Sequence, residues 1–264
     1  MVETYLRLVG ARLRGQLAYR TSFTIEVIAQ AVVQAIELAA ITILFSHVTE
    51  LGGFSADEVI LMYAIAATAF GLADLTAGQL NELPTYIRTG SFDVLLLRPL
   101  GTLPQVMVGD IRLKRIGRTL FGLGTMVYAL AHNDIAWSPA KAALAAVAPL
   151  AGAVIFGSVW VVACAVCFWI VEGQELANTV TYGSNAFTSY PVTVYSGWLR
   201  RFMAFVVPGA FVAYYPALAL LGRTDPLGGP ALLGWVSPLV ALAAAVVAGL
   251  VWRFAVRHYR GTGS

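Results

Sequence analysis

Apolar runs long enough to cross a lipid bilayer recur along this sequence, and they restrict the possible folds more than any other feature. A helix needs about 20 consecutive, mostly apolar residues to cross the hydrocarbon core. The chain is 59% hydrophobic and only 12% charged, whereas soluble domains carry about 25% charged residues. A transmembrane β-barrel would show short alternating segments instead. The sequence therefore predicts an all-α polytopic membrane protein.

The runs predict six transmembrane helices in a single domain that covers residues 1–264. Five of these spans are assigned to residues 22–45, 59–80, 114–131, 142–171 and 232–254. Residues 172–230 leave two paths open for the remaining span. Hydropathy alone selects 202–221, whereas the alternative threads the weakly apolar 174–196 through the membrane. In that second path 198–221 forms a re-entrant element on the outer side, where broken backbone is tolerated if protein covers it.

Basic residues orient the predicted spans, because the Lys/Arg excess of short loops stays in the cytoplasm. The polar segment 82–100, ELPTYIRTGSFDVLLLRPL, carries Arg88 and Arg98. More basic residues lie at or beside the inner ends of the third and last spans: Arg112, Lys114, Arg115, Arg118, Arg253, Arg257 and Arg260. This pattern predicts that both termini are cytoplasmic. Residues 1–20 are amphipathic and predict an interfacial helix; a merely basic leader to the first span is the alternative.

The first predicted span contains a row of polar side chains: Glu26, Gln30, Gln34 and Glu37. At 100° per residue the four positions fall within about 80° of one another, so they share one helix face. Ionisable groups at membrane depth are costly unless they face protein or water. Two interpretations remain open: a wall of a substrate path or dimer seam, or hydrogen bonding that only fixes helix packing. Glu26 also fits a position at the inner interface.

Several functional classes lack the residues they need. The chain has no G-x-x-x-x-G-K-[ST] loop, so no phosphate-binding loop for its own nucleotide is expected. The three histidines fall in loops or the tail, which disfavours a metal site, and no base accompanies a serine nucleophile. Cys164 and Cys167 lie in one apolar run and are interpreted as packing residues. Nucleic-acid binding is not expected, because the basic residues lie beside membrane segments.

Two stretches resemble a known family. They are GSFDVLLLRPL at 90–100 and YPVTVYSGWLRRFMAFVVPGAFVAYYPALALLG at 190–222. With the amphipathic N-terminal helix, they resemble the ABC-2 type permeases, in particular the subgroup related to viologen and drug exporters. The resemblance implies a permease that pairs with a second permease and with two ATP-binding cassette subunits. It also favours the re-entrant path for 198–221.

The resemblance further implies that the 82–100 segment is the cytoplasmic element that couples the permease to the ATPase. The residues assigned to that contact are Glu82, Tyr86, Ile87, Arg88, Phe92, Asp93 and Arg98. For Arg88 and Arg98, ordinary anchoring at the inner face is the alternative. No cofactor is expected in this chain, because ATP and Mg would be bound by the partner ATPase.

The expected function is therefore export of an amphiphilic small molecule across the cytoplasmic membrane of a bacterium. The acidic groups at Glu26 and Glu37 suggest a cationic substrate. The other expected partners are membrane lipids and the second permease, which is either an identical or a sister chain. Alternative functions are lipid or polysaccharide export, import, and a membrane scaffold subunit that is not coupled to ATP.

Overall fold

The computed structural model describes residues 20–109, 115–170 and 173–259, and within these ranges the chain is helical, without a β-strand. The predicted interfacial helix at 1–20 lies almost wholly outside the described residues. The α-helices are α1 Arg20–Phe45, α2 Ala56–Ala77, α3 Leu83–Arg88, α4 Ser91–Leu96, α5 Thr102–Val108, α6 Ile116–His132, α7 Pro139–Ala165, α8 Gln174–Thr188, α9 Gly197–Phe205, α10 Tyr214–Leu221 and α11 Ser237–Arg257. Short 3₁₀ turns follow several of them, at Gly78–Glu82, Val166–Phe168, Val192–Val194, Gly209–Phe211 and Ala231–Trp235.

Four stretches of the described chain are long and apolar enough to cross a membrane. They are Phe23–Phe45, Ala56–Arg88, Pro139–Phe168 and Ser237–Arg257. The pair Gly197–Phe205 and Gly209–Leu221 meets the same test together, but it is bent by 69°. The number of candidate spans is thus four or five, and the count of six stays a prediction. The predicted third span is represented by α6, whose 17 residues extend about 26 Å.

Helix α2 lies at the centre of the bundle, packed between α6 and α7 and touched by α1. A helix that is apolar on all sides is stable only when it is buried on all sides, and most of α2 is buried. Glycines permit the close crossing of α2 and α6. A Cβ on Gly71 would lie 2.7 Å from the Thr119 hydroxyl, and one on Gly122 would lie 2.7 Å from the backbone nitrogen of Thr68.

Helices α1 and α11 form the two edges of the bundle, where α1 packs mainly on α6 and α11 on α7. Their outward faces carry exposed apolar side chains, which suits contact with lipid or with another membrane chain. On α1 these are Ile25, Ile28, Val32, Val33, Ile36 and Ile43, and on α11 they are Leu239, Leu242, Val246, Val247, Leu250 and Phe254.

The first and the last residues of the stretch 189–225 lie at one end of the bundle, and the 82–100 segment lies at the opposite end. The Thr193 hydroxyl donates to the Gly52 carbonyl at 2.9 Å, between α1 and α2. After α10, Arg223 forms an ion pair with Glu58 in the first turn of α2. Between these contacts the chain reaches the middle of α7, because a Cβ on Gly152 would lie 2.9 Å from the Val212 side chain.

Candidate functional site

The 82–100 segment is a compact helical turn that continues directly from α2. Helix α2 tightens into the 3₁₀ turn Gly78–Glu82, and α3 follows with Pro84 in its first turn. A proline is accepted there, because the first amides of a helix have no intrahelical partner. Gly90 separates α3 from α4 with φ of +69°, a left-handed conformation that glycine adopts without steric cost.

The inner face of this segment is part of the core. Ile87 and Phe92 are buried, and the Phe92 ring packs against Phe168 at 5.1 Å and Tyr259 at 5.0 Å between centroids. Burial and, after it, the nearby Asp93 carboxylate raise the pKa of the Tyr259 phenol, which therefore stays neutral. The segment is thus anchored to the ends of α7 and α11.

The outer face of the segment is apolar at its centre and charged around it. Leu97 is 86% exposed and Val94 is 52% exposed. Arg88, Asp93 and Arg98 are exposed as well. A large apolar side chain with charged neighbours at the polar end of a membrane bundle is typical of a protein contact.

The predicted contact residues divide between these two faces. Arg88, Asp93 and Arg98 are exposed, although Asp93 lies beside the Tyr259 phenol, whereas Ile87 and Phe92 point into the core. Their contribution is therefore to hold the segment in position. Glu82 and Tyr86 are half-buried. The sequence analysis did not single out Val94, Leu96 and Leu97, the three exposed side chains of the run VLLL, although its amphipathic surroundings indicate that part of this run is exposed.

Behind the segment lies a group of buried charges that sequence reasoning also missed. Arg115 Nε lies 3.3 Å from Asp74 Oδ1, and Arg118 Nη1 lies 3.9 Å from Asp74 Oδ2. All three side chains are only 10–13% exposed. Arg115 also donates to the backbone carbonyls of Asp74 at 2.9 Å and Gly78 at 3.3 Å. The Asp74 carbonyl also accepts from the Gly78 N–H, so Arg115 adds a second bond there and joins the end of α2 to the start of α6.

An aromatic cluster from α2, α7 and α8 adjoins these charges. The Phe70 ring stacks on Trp160 at 5.6 Å and lies 5.7 Å from Tyr182. The Arg118 guanidinium carbon is 5.0 Å from the centre of the Phe70 ring, a cation–π geometry. Trp160 Nε1 donates to the Asn81 side-chain oxygen at 2.7 Å. The cluster thus connects the core to the turn that begins the 82–100 segment.

The polar row on α1 is also divided by the structure. Gln34 is buried and donates to the Tyr63 hydroxyl at 3.3 Å, and that hydroxyl donates to the Gln34 carbonyl at 2.9 Å. Glu37 is half-buried and lies near Tyr63 and Arg118. These contacts favour the packing interpretation for the buried Gln34, whereas both interpretations stay predictions for Glu37. Glu26 is exposed and Gln30 is half-buried, and both interpretations stay predictions for these two.

Two further predictions concern metal binding and the cysteines. Within the described residues, no three His, Cys, Asp or Glu side chains come close enough together to hold a metal ion. Cys164 and Cys167 are free and buried, which confirms their interpretation as packing residues.

Comparison with known proteins assigns a family to most of the chain. The model of the ABC-2 family transporter protein family matches residues 31–263. The match includes α2, the 82–100 segment, the buried charges and the bent pair of helices. No curated protein and no solved structure gives a significant match.

Proposed function

The chain belongs to the ABC-2 family of transporter proteins, and from this premise we propose that it is the permease subunit of an exporter driven by a separate ATPase. Membership in this family implies association with an ABC ATPase. Hydrolysis of ATP, with its Mg ion, would take place on that partner. The observation that carries the proposal is the 82–100 segment, with its anchored inner face and its exposed apolar outer face.

The segment offers what a coupling contact requires. An apolar helix face with charged neighbours fits a groove on a partner protein, and Leu97 with Val94 would occupy the centre of that groove. Arg88 and Arg98 would form the charged rim, where they favour correct pairing more than affinity. Because Ile87 and Phe92 anchor the segment, a movement of the ATPase would be passed on to the membrane helices.

ATP binding would act by selecting one permease conformation over the other. A ligand shifts such an equilibrium only by its differential affinity for the two states. Closure of two cassettes would move the 82–100 segment. Arg115, which joins the start of α6 to Asp74 and Gly78 at the end of α2, would pass this movement to α2 and α6 together.

The proposed topology places the 82–100 segment and both termini in the cytoplasm, and residues 174–196 across the membrane. Basic side chains gather at the end that carries the segment, whereas the opposite α1–α2 link is acidic and has no Lys or Arg, in agreement with the positive-inside rule. The contacts of Thr193 with Gly52 and of Arg223 with Glu58 support a re-entrant path for 198–221. Arg200 and Arg201 would then lie near the outer side, against the charge rule.

Labelling of single cysteines tests this topology. In a variant without Cys164 and Cys167, cysteines at Val194 and Thr224 should react with a maleimide that cannot cross the membrane, because both would be outside. A cysteine at Thr89 should react only after the membrane is opened. Protection of Val194 in intact cells would contradict the re-entrant path and favour 202–221 as the span.

A second permease, identical or related, would complete the substrate path. The exposed apolar face of α1 is a suitable contact surface, and Glu26, Gln30 and Glu37, which are not fully buried, are the members of the polar row that a path between two chains could use. We propose an amphiphilic, cationic substrate on this basis. Glu26→Gln and Glu37→Gln should lower transport of cationic compounds, whereas Glu50→Gln in the acidic link should not. Unchanged transport of every cation in Glu37→Gln would refute a role for Glu37 in selecting charge.

The proposal as a whole is tested by tagging this chain, purifying it from its native membrane and assaying ATP hydrolysis. A cassette ATPase should come down with the wild-type chain. Leu97→Asp should lose it, because a charge would enter the centre of the contact. Leu227→Asp, a matched change at an exposed leucine at the opposite end, should retain it. If no ATPase accompanies the wild type, or if both variants behave alike, the assignment of the coupling contact is wrong.

A further inference from the structure

A groove runs between the start of α5 and the last turns of α11, at the same end as the 82–100 segment. It has a volume of about 470 Å³, within the range of small-ligand sites. Trp252 lines its floor, where the indole Nε1 donates to the Thr102 hydroxyl at 3.0 Å and the ring packs against Phe168 at 5.3 Å. The Trp252 side chain is buried, so the floor is firmly held.

The walls of the groove between α5 and α11 are apolar. Leu103, Pro104 and Val256 line it. At Gly249 a Cβ would meet no atom within 4 Å, so the groove is open beside this residue, and this open space is here called the channel. The outward neighbours Leu250 and Phe254 are more than half exposed, and their apolar surface suits lipid chains.

Two arginines stand at the mouth of this apolar groove. Arg253 and Arg257 both line it, and they are one helical turn apart, so their side chains lie on one face. Both are exposed. Among the described residues, no carboxylate forms an ion pair with either of them. The groove therefore combines an apolar interior with two positive charges that no acidic side chain of the described chain neutralises.

Aromatic side chains indicate the level of this mouth relative to a bilayer. The ring centroids of Trp169 and Phe254 are 6.1 Å apart, and those of Phe254 and His258 are 4.3 Å apart. Tryptophan with its amphipathic ring collects at the boundary between hydrocarbon and headgroups. The arginines next to this belt would thus lie at headgroup level, and Gly249, about one turn before Arg253 and two turns before Arg257, would lie on the hydrocarbon side of them.

We propose that this groove binds one anionic phospholipid, with its phosphate on Arg253 and Arg257 and an acyl chain along Gly249. Arginine is suited to phosphate because its planar fork offers several donors. Basic pockets between membrane helices on the cytoplasmic side are a known mode of headgroup recognition. A soluble phosphate would use only the arginines and would leave the apolar walls without a ligand. The assignment of this lipid to the cytoplasmic leaflet rests on the orientation proposed above. The location of the site in the groove does not depend on that orientation.

Native mass spectrometry of the purified chain tests the site, with phosphatidylglycerol and phosphatidylcholine of equal chain length as probes. The wild type should retain phosphatidylglycerol preferentially. Arg253→Gln/Arg257→Gln should weaken that retention by roughly 30-fold, as expected for two arginines near an anionic surface. Arg88→Gln, which removes an exposed charge at the same end, should leave retention unchanged. Equal retention of the two lipids, or no loss in the double variant, would overturn the proposal.

A second pair of variants tests the acyl channel while both arginines stay in place. Gly249→Phe should fill the channel and lower phosphatidylglycerol retention, whereas Gly249→Ala should change it little. Soluble glycerol phosphate should fail to displace the bound lipid. Displacement by that compound, or full retention in Gly249→Phe, would show that only the headgroup is recognised and would refute the groove as a lipid site. None of these measurements needs the ATPase, so they remain informative if the proposed coupling fails.

Discussion

Replacing Asp74 by asparagine removes the negative charge that Arg115 and Arg118 share behind the 82–100 segment. The three side chains are nearly buried, with 10–13% of their surface exposed. Removing one partner from a buried ion pair costs about 3–5 kcal/mol, because the remaining charge is left without compensation. Arg115 would keep its two backbone acceptors, the carbonyls of Asp74 and Gly78. We therefore expect a loss of about 3 kcal/mol in the free energy of unfolding.

A thiol-reactive fluorophore provides the assay, because Cys164 and Cys167 are the only cysteines and both are buried. They should react only as the chain unfolds on heating. A loss of about 3 kcal/mol corresponds to a fall in Tm of roughly 6–12 °C for a chain of this size. Asp134→Asn makes the same chemical change at an exposed position and should stay within about 0.5 kcal/mol of wild type.

Two outcomes would refute this reasoning. The first is a Tm for Asp74→Asn that equals the Tm of the Asp134→Asn control. The second concerns coupling between the charges. Arg118→Gln should lower the free energy of unfolding less in the Asp74→Asn background than in the wild type, because the effects of substituting two interacting residues are not additive. If the two effects on the free energy of unfolding were strictly additive, the contact between Arg118 and Asp74 would not contribute to stability.

Two other predictions concern helix packing and use the same thermal assay. Gly122→Ala should destabilise the protein, because the new methyl would lie 2.7 Å from a backbone nitrogen of α2. The control Gly124→Ala places a methyl that meets no atom within 4 Å, and it should stabilise α6 by up to about 1 kcal/mol. Equal effects of the two substitutions on Tm would refute the close crossing. Tyr63→Phe should lower the free energy of unfolding by about 1–3 kcal/mol, because it leaves the buried Gln34 without its hydrogen-bond partner. The control Tyr128→Phe, at an exposed ring, should leave that free energy unchanged. If Tyr63→Phe also left it unchanged, the contact between α1 and α2 would not contribute to stability.

Sequence reasoning located the long helices because their signal is local. Each apolar run reports on the twenty or so residues that cross together, and α1 and α11 begin within a few residues of the positions expected. The partner of a polar side chain is not local information. Gln34 and Glu37 were correctly placed on one face of α1, but only the crossing of α1 with α2 and α6 determines that this face meets Tyr63 and Arg118.

The path of residues 174–196 was left open for a related reason. Hydropathy counts the hydroxyls of α8 as polar, yet several of them are buried and donate to carbonyls of their own helix. Thr181 donates to Ala177 at 2.8 Å, and Thr188 donates to Asn185 at 2.9 Å. A hydroxyl that is satisfied within its own helix can be buried among other helices at little cost. The low apolar content of this segment therefore does not exclude a buried position beside α7.

The buried charges at Asp74 could have been suspected from the sequence, because an ionisable residue near the end of an apolar run needs a partner. Its partners lie 41 and 44 positions further along the chain, beyond the whole 82–100 segment. No sequence pattern indicates that Arg115 returns to bond the end of the helix from which that segment departs. These bonds follow from the close α2–α6 crossing, which places the start of α6 beside the end of α2.

This arrangement limits how a movement of the 82–100 segment can reach the membrane helices. The loop that leaves α2 and enters α6 is closed at its base by the Arg115 bonds to Asp74 and Gly78, and the two helices are in contact along their glycine positions. Sliding α2 against α6 would break both sets of contacts. We therefore expect α2 and α6 to move as one unit, with α1 carried on α6, and the conformational change of transport to occur where this unit meets α7 and the bent pair of helices.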